Sequence, residues 1–230
     1  MDSVILESVN LNDLAYEEIK KRIISREFAP GQRLVDSQLA TIFQISRTPI
    51  RDAMRRLTKE GLLTNTSSRG FYVFAPTLKD IDEIFSISGM IETEAAARII
   101  RRLREKPSPR LEEELNILEK KASEVFPMEK DEEFKRYMME LAENQRLYDI
   151  YLQNHGQRVL LANIIHHGKT DEIDSFRPEK SKLVHNRIVL GIRNQDFEYT
   201  RQAIEEHNGY GIADATDYVL QLNEIGRAHV

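Results

Sequence analysis

The sequence contains no cysteine, which excludes disulfides, thiolate metal sites and thiol nucleophiles, so a cytoplasmic protein is expected. Long hydrophobic runs are missing too: the strongly apolar stretches last a few residues, against the ~20 that a membrane-spanning helix needs. The opening MDSVILESVNLND carries acids and neither Lys nor Arg, so a secretory leader is not expected. There is no internal repeat, no low-complexity run, no glycine-rich phosphate loop and no His-Glu-x-x-His pair. What remains is a 230-residue chain, 40% hydrophobic and 31% charged, with the composition of a globular protein of one large or two small domains.

The net charge of −5 is unevenly spread. Residues 1–76 hold eleven Lys and Arg against nine Asp and Glu, whereas the remainder holds 22 against 29. Within residues 46–70 the cations Arg47, Arg51, Arg55, Arg56, Lys59 and Arg69 face only Asp52 and Glu60. A compact positive patch on an acidic chain can hold phosphate locally while the rest resists non-specific association.

Turn signals are frequent before Ala75–Leu78 and helical periodicity dominates after it, which predicts domains at 1–76 and 77–230. The spacing predicts a helix over 14–26 that buries Ala15, Ile19, Ile23 and Ile24. A short helix over 36–43 buries Leu39, Ala40 and Phe43, and a tight turn at Gln44-Ile45 leads into a third helix over 46–60, stopped by Gly61. Apolar runs at 62–66 and 71–74, joined by Ser67-Ser68-Arg69-Gly70, read as a hairpin. Three helices with a hairpin wing make a winged helix-turn-helix.

On the third helix Ile50, Ala53, Met54 and Leu57 share one face, while Thr48, Arg51, Arg55 and Lys59 share another that points outward. Pro49 suits a first turn, and Ser46 or Thr48 can cap the free amides or leave them to a phosphate. Arginines at a helix N-terminus oppose the helix dipole. That conflict resolves if a polyanion completes the site, and Arg is the side chain suited to the paired acceptors of guanine in the major groove. The plainer alternative is a solvated charged face.

From Pro30-Gly31-Gln32-Arg33-Leu34, through Ile45-Ser46-Arg47-Thr48-Pro49-Ile50-Arg51-Asp52-Ala53, to Glu60-Gly61-Leu62 and Arg69-Gly70, the chain resembles the DNA-binding domain of the GntR family of bacterial transcription regulators. The resemblance implies a homodimer on a palindromic operator, with the third helix in the major groove and the wing tip in or near the minor groove. Arg47, Thr48 and Arg51 then take base and phosphate roles, with Arg55 on the same outward face. Arg33 and Ser46 match positions that meet backbone phosphate, and Arg69-Gly70 match the wing tip.

The second segment reads as all helical, an antiparallel bundle that makes the whole chain mainly α. A long helix over 80–103 buries Ile81, Ile84, Phe85, Ile91, Ala95 and Ile99. Asp80-Ile81-Asp82-Glu83-Ile84-Phe85, Ile91-Glu92 and Ala95-Ala96-Ala97-Arg98, with Phe134, Asn144, His185, Asp196 and His207 later, resemble the FCD effector-binding domain of one GntR subfamily. Many such domains hold a metal through one Asp and three His, leaving a coordination position for a small carboxylate effector. Here Asp131, His185 and His207 match three ligand positions and suit zinc, nickel or manganese. The fourth holds Lys135, a poor ligand when protonated, whose ammonium can instead pair with Asp131 and meet an effector carboxylate. The position of an effector-binding Arg on the long helix holds Ser88. Neighbouring helical residues diverge by about 100°, so at most one of His166 and His167 faces inward. His155 and His229 are expected on the surface without a role.

The resulting expectation is a cytoplasmic, homodimeric, DNA-binding regulator, a repressor in the usual family outcome, whose operator affinity answers to a small organic acid. The alternatives are a metal-dependent helical-bundle enzyme with an accessory winged helix, and an interaction module whose head binds protein. Against the enzyme, neither His185 nor His207 has a Glu three residues before it, as paired-iron bundles require.

Overall fold

Asn10 starts the first helix: its side chain accepts a hydrogen bond from the Asn12 amide, and α1 runs Leu11–Ile24. The start lies three residues before the one that apolar spacing suggests, because the cap sets it rather than the buried face. The computed structural model describes residues 10–66, 70–124, 128–168 and 178–228. Two compact units divide the chain, Met1–Ala75 and Pro76–Val230.

In the first unit α1 buries Ala15, Tyr16, Ile19 and Ile23, while Ile24 is only half-buried. Helix α2 spans Asp36–Phe43, burying Leu39 and Ala40 and leaving Phe43 half-buried at its end. Gln44 then takes the left-handed conformation (φ 56°), and the Ile45 amide donates back to the Ala40 carbonyl at 3.1 Å. That closure sends the chain straight into α3, Arg47–Lys59, which packs Pro49, Ile50, Ala53, Met54 and Leu57 inward. The far end of α3 is tied to α1 through Glu60, whose carboxylate accepts from the Tyr16 hydroxyl at 2.8 Å and the Lys20 ammonium at 3.0 Å. The Arg56 guanidinium lies 3.7 Å from the centre of the Tyr16 ring, so this arginine serves the packing of the unit.

Strands β2 (Leu63–Thr66) and β3 (Gly70–Val73) pair antiparallel, with Leu63 opposite Val73 and Thr66 opposite Gly70. The sheet has a third strand that residue patterning did not predict. Arg33–Leu34 pair with Tyr72 and Phe71 as β1, which gives the order β1-β3-β2. Two residues are too short to show an alternation.

In the second unit α4 runs Leu78–Glu105, opened by a reciprocal cap in which Thr77 accepts from the Asp80 amide and Asp80 from the Thr77 amide. Ser108 caps α5, Pro109–Ser123, with Pro109 in the first turn. There follow α6 (Met128–Leu141), α7 (Gln145–Gly168), α8 (Pro178–Arg193) and α9 (Phe197–Ala228). Helix α4 packs on α9 and α7, α5 on α8 and α6, and α8 on α9. The core joins Ala95 and Ile99 of α4, Leu115 of α5, Phe134 of α6, Ile188 of α8 and Ile204 of α9. Among the described residues no helix is long and apolar enough to cross a membrane.

Glycine marks where α9 approaches α4. A side-chain carbon added at Gly211 would stand 2.3 Å from the buried Phe85 ring, whereas one at Gly209, two residues earlier, would meet nothing within 4 Å. Gly211→Ala is therefore expected to destabilise by about 1–3 kcal/mol through overpacking. Gly209→Ala is expected to stabilise by about 0.5–1 kcal/mol through helix propensity. Paired thermal and urea unfolding curves check both signs.

Candidate nucleic-acid interface and buried ligand site

The exposed edge of α3 follows from what its other face buries. Arg47, Thr48, Arg51 and Arg55 are all exposed at the N-terminal half of the helix. Arg47 and Arg51 both reach Asp36 at the start of α2, with Nη2 to Oδ1 at 2.9 Å and Nε to Oδ2 at 2.8 Å. Burial opposes the Asp36 charge, but Arg47 and Arg51 prevail and hold its carboxyl below the usual range. Asp36 thus supplies part of the anion that the arginine-bearing helix end calls for, a contribution not visible from α3 alone. The arginines keep 60% and 56% of their side-chain surface in water, and ion pairs that open contribute only ~0–1 kcal/mol, so they remain available to phosphate or base. Arg55 is freer still, with Asp52 at 3.4 Å.

Ser46 is the N-cap residue of α3, yet its side chain makes no capping hydrogen bond. Gly70 opens β3 with φ +94°, a conformation that favours glycine, and a side-chain carbon built there would lie 3.6 Å from Arg33 Nε. Arg33 on β1 and Gly70 on β3 are thereby neighbours at the hairpin end of the wing. Arg69 lies outside the described residues.

The second unit brings Asp131 and Lys135 of α6, His185 of α8 and His207 of α9 into one buried cluster. Asp131 and Lys135 stand four apart on α6 and so share a face. Its two oxygens have different neighbours. Oδ2 accepts from the Lys135 ammonium, while Oδ1 lies 3.1 Å from His185 Nε2 and 3.6 Å from His207 Nε2. Burial alone would raise the Asp131 carboxyl, but Lys135 and the facing imidazoles hold it well below the usual range. Burial pushes His185 down to about 4, beyond what Asp131 restores, so its imidazole is neutral at physiological pH. The ring of His185 stacks on Phe134 at 4.1 Å and meets His207 edge-on at 4.6 Å. Asp131 Oδ1 and both His185 nitrogens are buried without a hydrogen-bond partner.

Around this centre lies a charged shell that residue patterning missed. Glu92 of α4 pairs with Arg158 of α7 and accepts from Asn208 of α9 at 3.2 Å. Ser88 of α4 is buried, donates to the Ile84 carbonyl at 2.9 Å and receives Asn154 at 2.8 Å. Glu132 accepts from Lys135 at 3.5 Å and faces His155 Nδ1 at 3.1 Å; burial opposes its charge, yet Lys135 and His155 bring its carboxyl to about 2. His155 is therefore half-buried and paired, contrary to the surface position expected of it. Glu92 carried a legible signal, four residues from Ser88 and three from Ala95 on the buried stripe. Arg158 carried none, since its partner lies on another helix. His229 and the side chains of His166 and His167 fall outside the described residues.

Among the described residues, Asp131, His185 and His207 form a group whose ligating atoms lie within 4.8 Å of one another, so the predicted triad comes together. These donors are of the kinds that bind zinc, and they face a common point. The adjacent ammonium opposes an ion there. At about 4 Å and an effective dielectric near 20, a divalent ion and an ammonium repel by roughly 8 kcal/mol, about half of what one ligating carboxylate would contribute, and Lys135 already neutralises that carboxylate. With Lys135 in place, the donor set does not fit a resident divalent ion.

A winged helix-turn-helix with an exposed cationic helix edge, followed by an all-helical unit with a buried polar centre, is the arrangement of a class of DNA-binding transcription regulators, and the family matches place the chain in that class. The chain belongs to the GntR family of regulators that carry an FCD domain: residues 11–73 match the model for bacterial regulatory proteins of the gntR family, and residues 83–209 match the FCD domain. It is 28% identical to the HTH-type transcriptional regulator YdhC of Bacillus subtilis (strain 168), over 83% of this chain and 91% of that protein. It is 24% identical to the HTH-type transcriptional repressor RspR of Escherichia coli (strain K12), over 93% of this chain and 91% of that one. The fold is shared with a GntR regulator from Rhodococcus sp. RHA1, with a TM-score of 0.66 at 18% identity over 89% of this chain and 96% of that one.

The open Ser46 hydroxyl yields a clean expectation. Ser46→Ala should change stability by less than about 0.5 kcal/mol, where a capping serine would cost ~1 kcal/mol, while weakening DNA binding. Urea unfolding and a gel-shift titration of the same variant check the two halves.

Proposed function

We propose that the protein is a homodimeric repressor whose affinity for a palindromic operator answers to a small organic acid held in the helical unit. The observation that carries the reading is the exposed edge Arg47-Thr48-Arg51-Arg55, backed by a buried apolar face that fixes its direction. Thr48 and Arg51 address base edges in the major groove, and Arg47 and Arg55 flank them toward phosphate. Ser46 and the free amides of the first α3 turn take a phosphate oxygen. Arg33, Arg69 and Gly70 meet the backbone beside the wing.

Repression is supported by the name of the relative RspR and by simple occlusion, since a head seated in the groove excludes other proteins from that duplex. The organic acid is supported by Lys135, a buried ammonium with two of its three N–H groups directed at Asp131 and Glu132. His185 and His207 face the same centre and offer further polar contacts, and Ser88 lies buried on α4, one turn before Glu92. Effector binding acts by favouring one spacing of the two heads, because operator half-sites have a fixed separation.

The test begins with selection of a preferred duplex from a random pool. Arg51→Ala is then expected to cost about 1–3 kcal/mol against that duplex and to relax preference at one base pair per half-site. Arg33→Ala should weaken selected and scrambled duplexes alike. Gel-shift titrations measure both, and an Arg51→Ala variant with unchanged preference would remove α3 from the reading role.

A further inference from the structure

We infer that Lys135 replaces the metal of this helical site with an ammonium carried by the chain itself, so that the protein binds its ligand independently of divalent ions. The inference rests on the ligand-site reading proposed above and sharpens it: the ligand's carboxylate meets an amine nitrogen and not a coordination position.

Three features of the cluster lead there. Lys135 is 3% exposed, on the same face of α6 as Asp131, and it donates to Asp131 Oδ2. A buried ammonium persists only where anions accompany it, and Asp131 and Glu132 flank this one from its own helix. The charge that Asp131 would lend to an ion is thereby already neutralised. The second feature is direction. Lys135 approaches Oδ2, whereas the two imidazoles gather at Oδ1, so cation and histidines divide the carboxylate between them. The third is vacancy in hydrogen bonding. One N–H of Lys135 is uncommitted, and Asp131 Oδ1 and the His185 nitrogens have no partner. A carboxylate ligand finds its donor in Lys135, and a hydroxyl or amine on the same ligand finds an acceptor in Asp131 Oδ1.

The surrounding charges agree with this division of labour. Glu92 is matched by Arg158 and Asn208 from other helices, and Glu132 by Lys135 and His155. Asp131 and Glu132 each keep one oxygen without a hydrogen bond, Asp131 Oδ1 beside two imidazoles and Glu132 Oε2 beside one. Substituting His for Lys135 removes the ammonium and puts an imidazole on the same face of α6, which completes one carboxylate and three imidazoles around one point.

The full-length protein, stripped with a chelator and dialysed, is titrated calorimetrically with Zn2+, Ni2+ and Mn2+, alongside Lys135→His. The wild-type protein is expected to show no stoichiometric uptake, and its thermal midpoint is not raised by the ions. Lys135→His should take up one ion per chain, at least ~100-fold more tightly, through relief of charge repulsion and gain of a fourth ligand. One tight equivalent in the wild-type protein, lost in Asp131→Ala, overturns the inference and needs no Lys135 variant to do so. A Lys135→His protein with native circular dichroism and no gain in affinity overturns it as well. Operator binding by the wild-type protein, measured on the same chelated sample, separates this outcome from failure of the regulator reading, because it tests the α3 edge without any change in the cluster.

Discussion

The division of residues around the α3 axis is the constraint on which the smaller unit depends. Ile50, Ala53, Met54 and Leu57 must face α1 to bury their apolar surface, and helical geometry then leaves Arg47, Thr48, Arg51 and Arg55 no direction but outward. Burial of Ile50, Met54 and Leu57 contributes ~1.5–3 kcal/mol each, far above the ~0–1 kcal/mol of the ion pairs on the opposite edge. Apolar packing therefore sets the orientation of the helix, and the charged edge adapts to it. Asp36 restrains two guanidiniums without hiding them, which limits the conformational freedom that binding DNA would remove.

Electrostatics in the helical unit run the other way. Exposed pairs can be made and broken at little cost, but Glu92, Asp131, Lys135 and Arg158 are buried, where an unpaired charge is expensive. Each has an opposite charge supplied by its own or a neighbouring helix. Among the described residues of this unit, the buried polar atoms left without a hydrogen bond gather around the same centre: one oxygen each of Asp131 and Glu132, the ring nitrogens of His185, His155 Nδ1, the Tyr151 hydroxyl and Asn208 Oδ1. An interior that satisfies its charges and leaves a few aligned polar atoms open is suited to a polar ligand.

How much of this could be read beforehand depends on whether the controlling interaction lies within one element. The two faces of α3 were legible because three- and four-residue spacing maps directly onto direction. The long α4 was legible for the same reason, though its start was set by the Thr77–Asp80 cap and not by the apolar stripe. Strand β1 was not legible, since two residues carry no period and their pairing with β3 is tertiary. The Asp36 contacts with Arg47 and Arg51, and the Glu92–Arg158 pair, join separate helices and leave no trace in local spacing. The meeting of Asp131, Lys135, His185 and His207 was expected only through resemblance to known regulators; nothing in three isolated helical segments compels those side chains to converge.

The central claim is that α3 presents cations to the phosphate-lined groove of a duplex. The most direct measurement is the affinity of the intact protein for its selected operator as a function of salt concentration. Each phosphate neutralised contributes a slope of about −0.9 to log affinity against log salt, so a head using Arg33, Arg47 and Arg55 predicts a steep decline. An affinity that stays flat across the same range would mean that no phosphate is engaged, and the account of α3 would be contradicted.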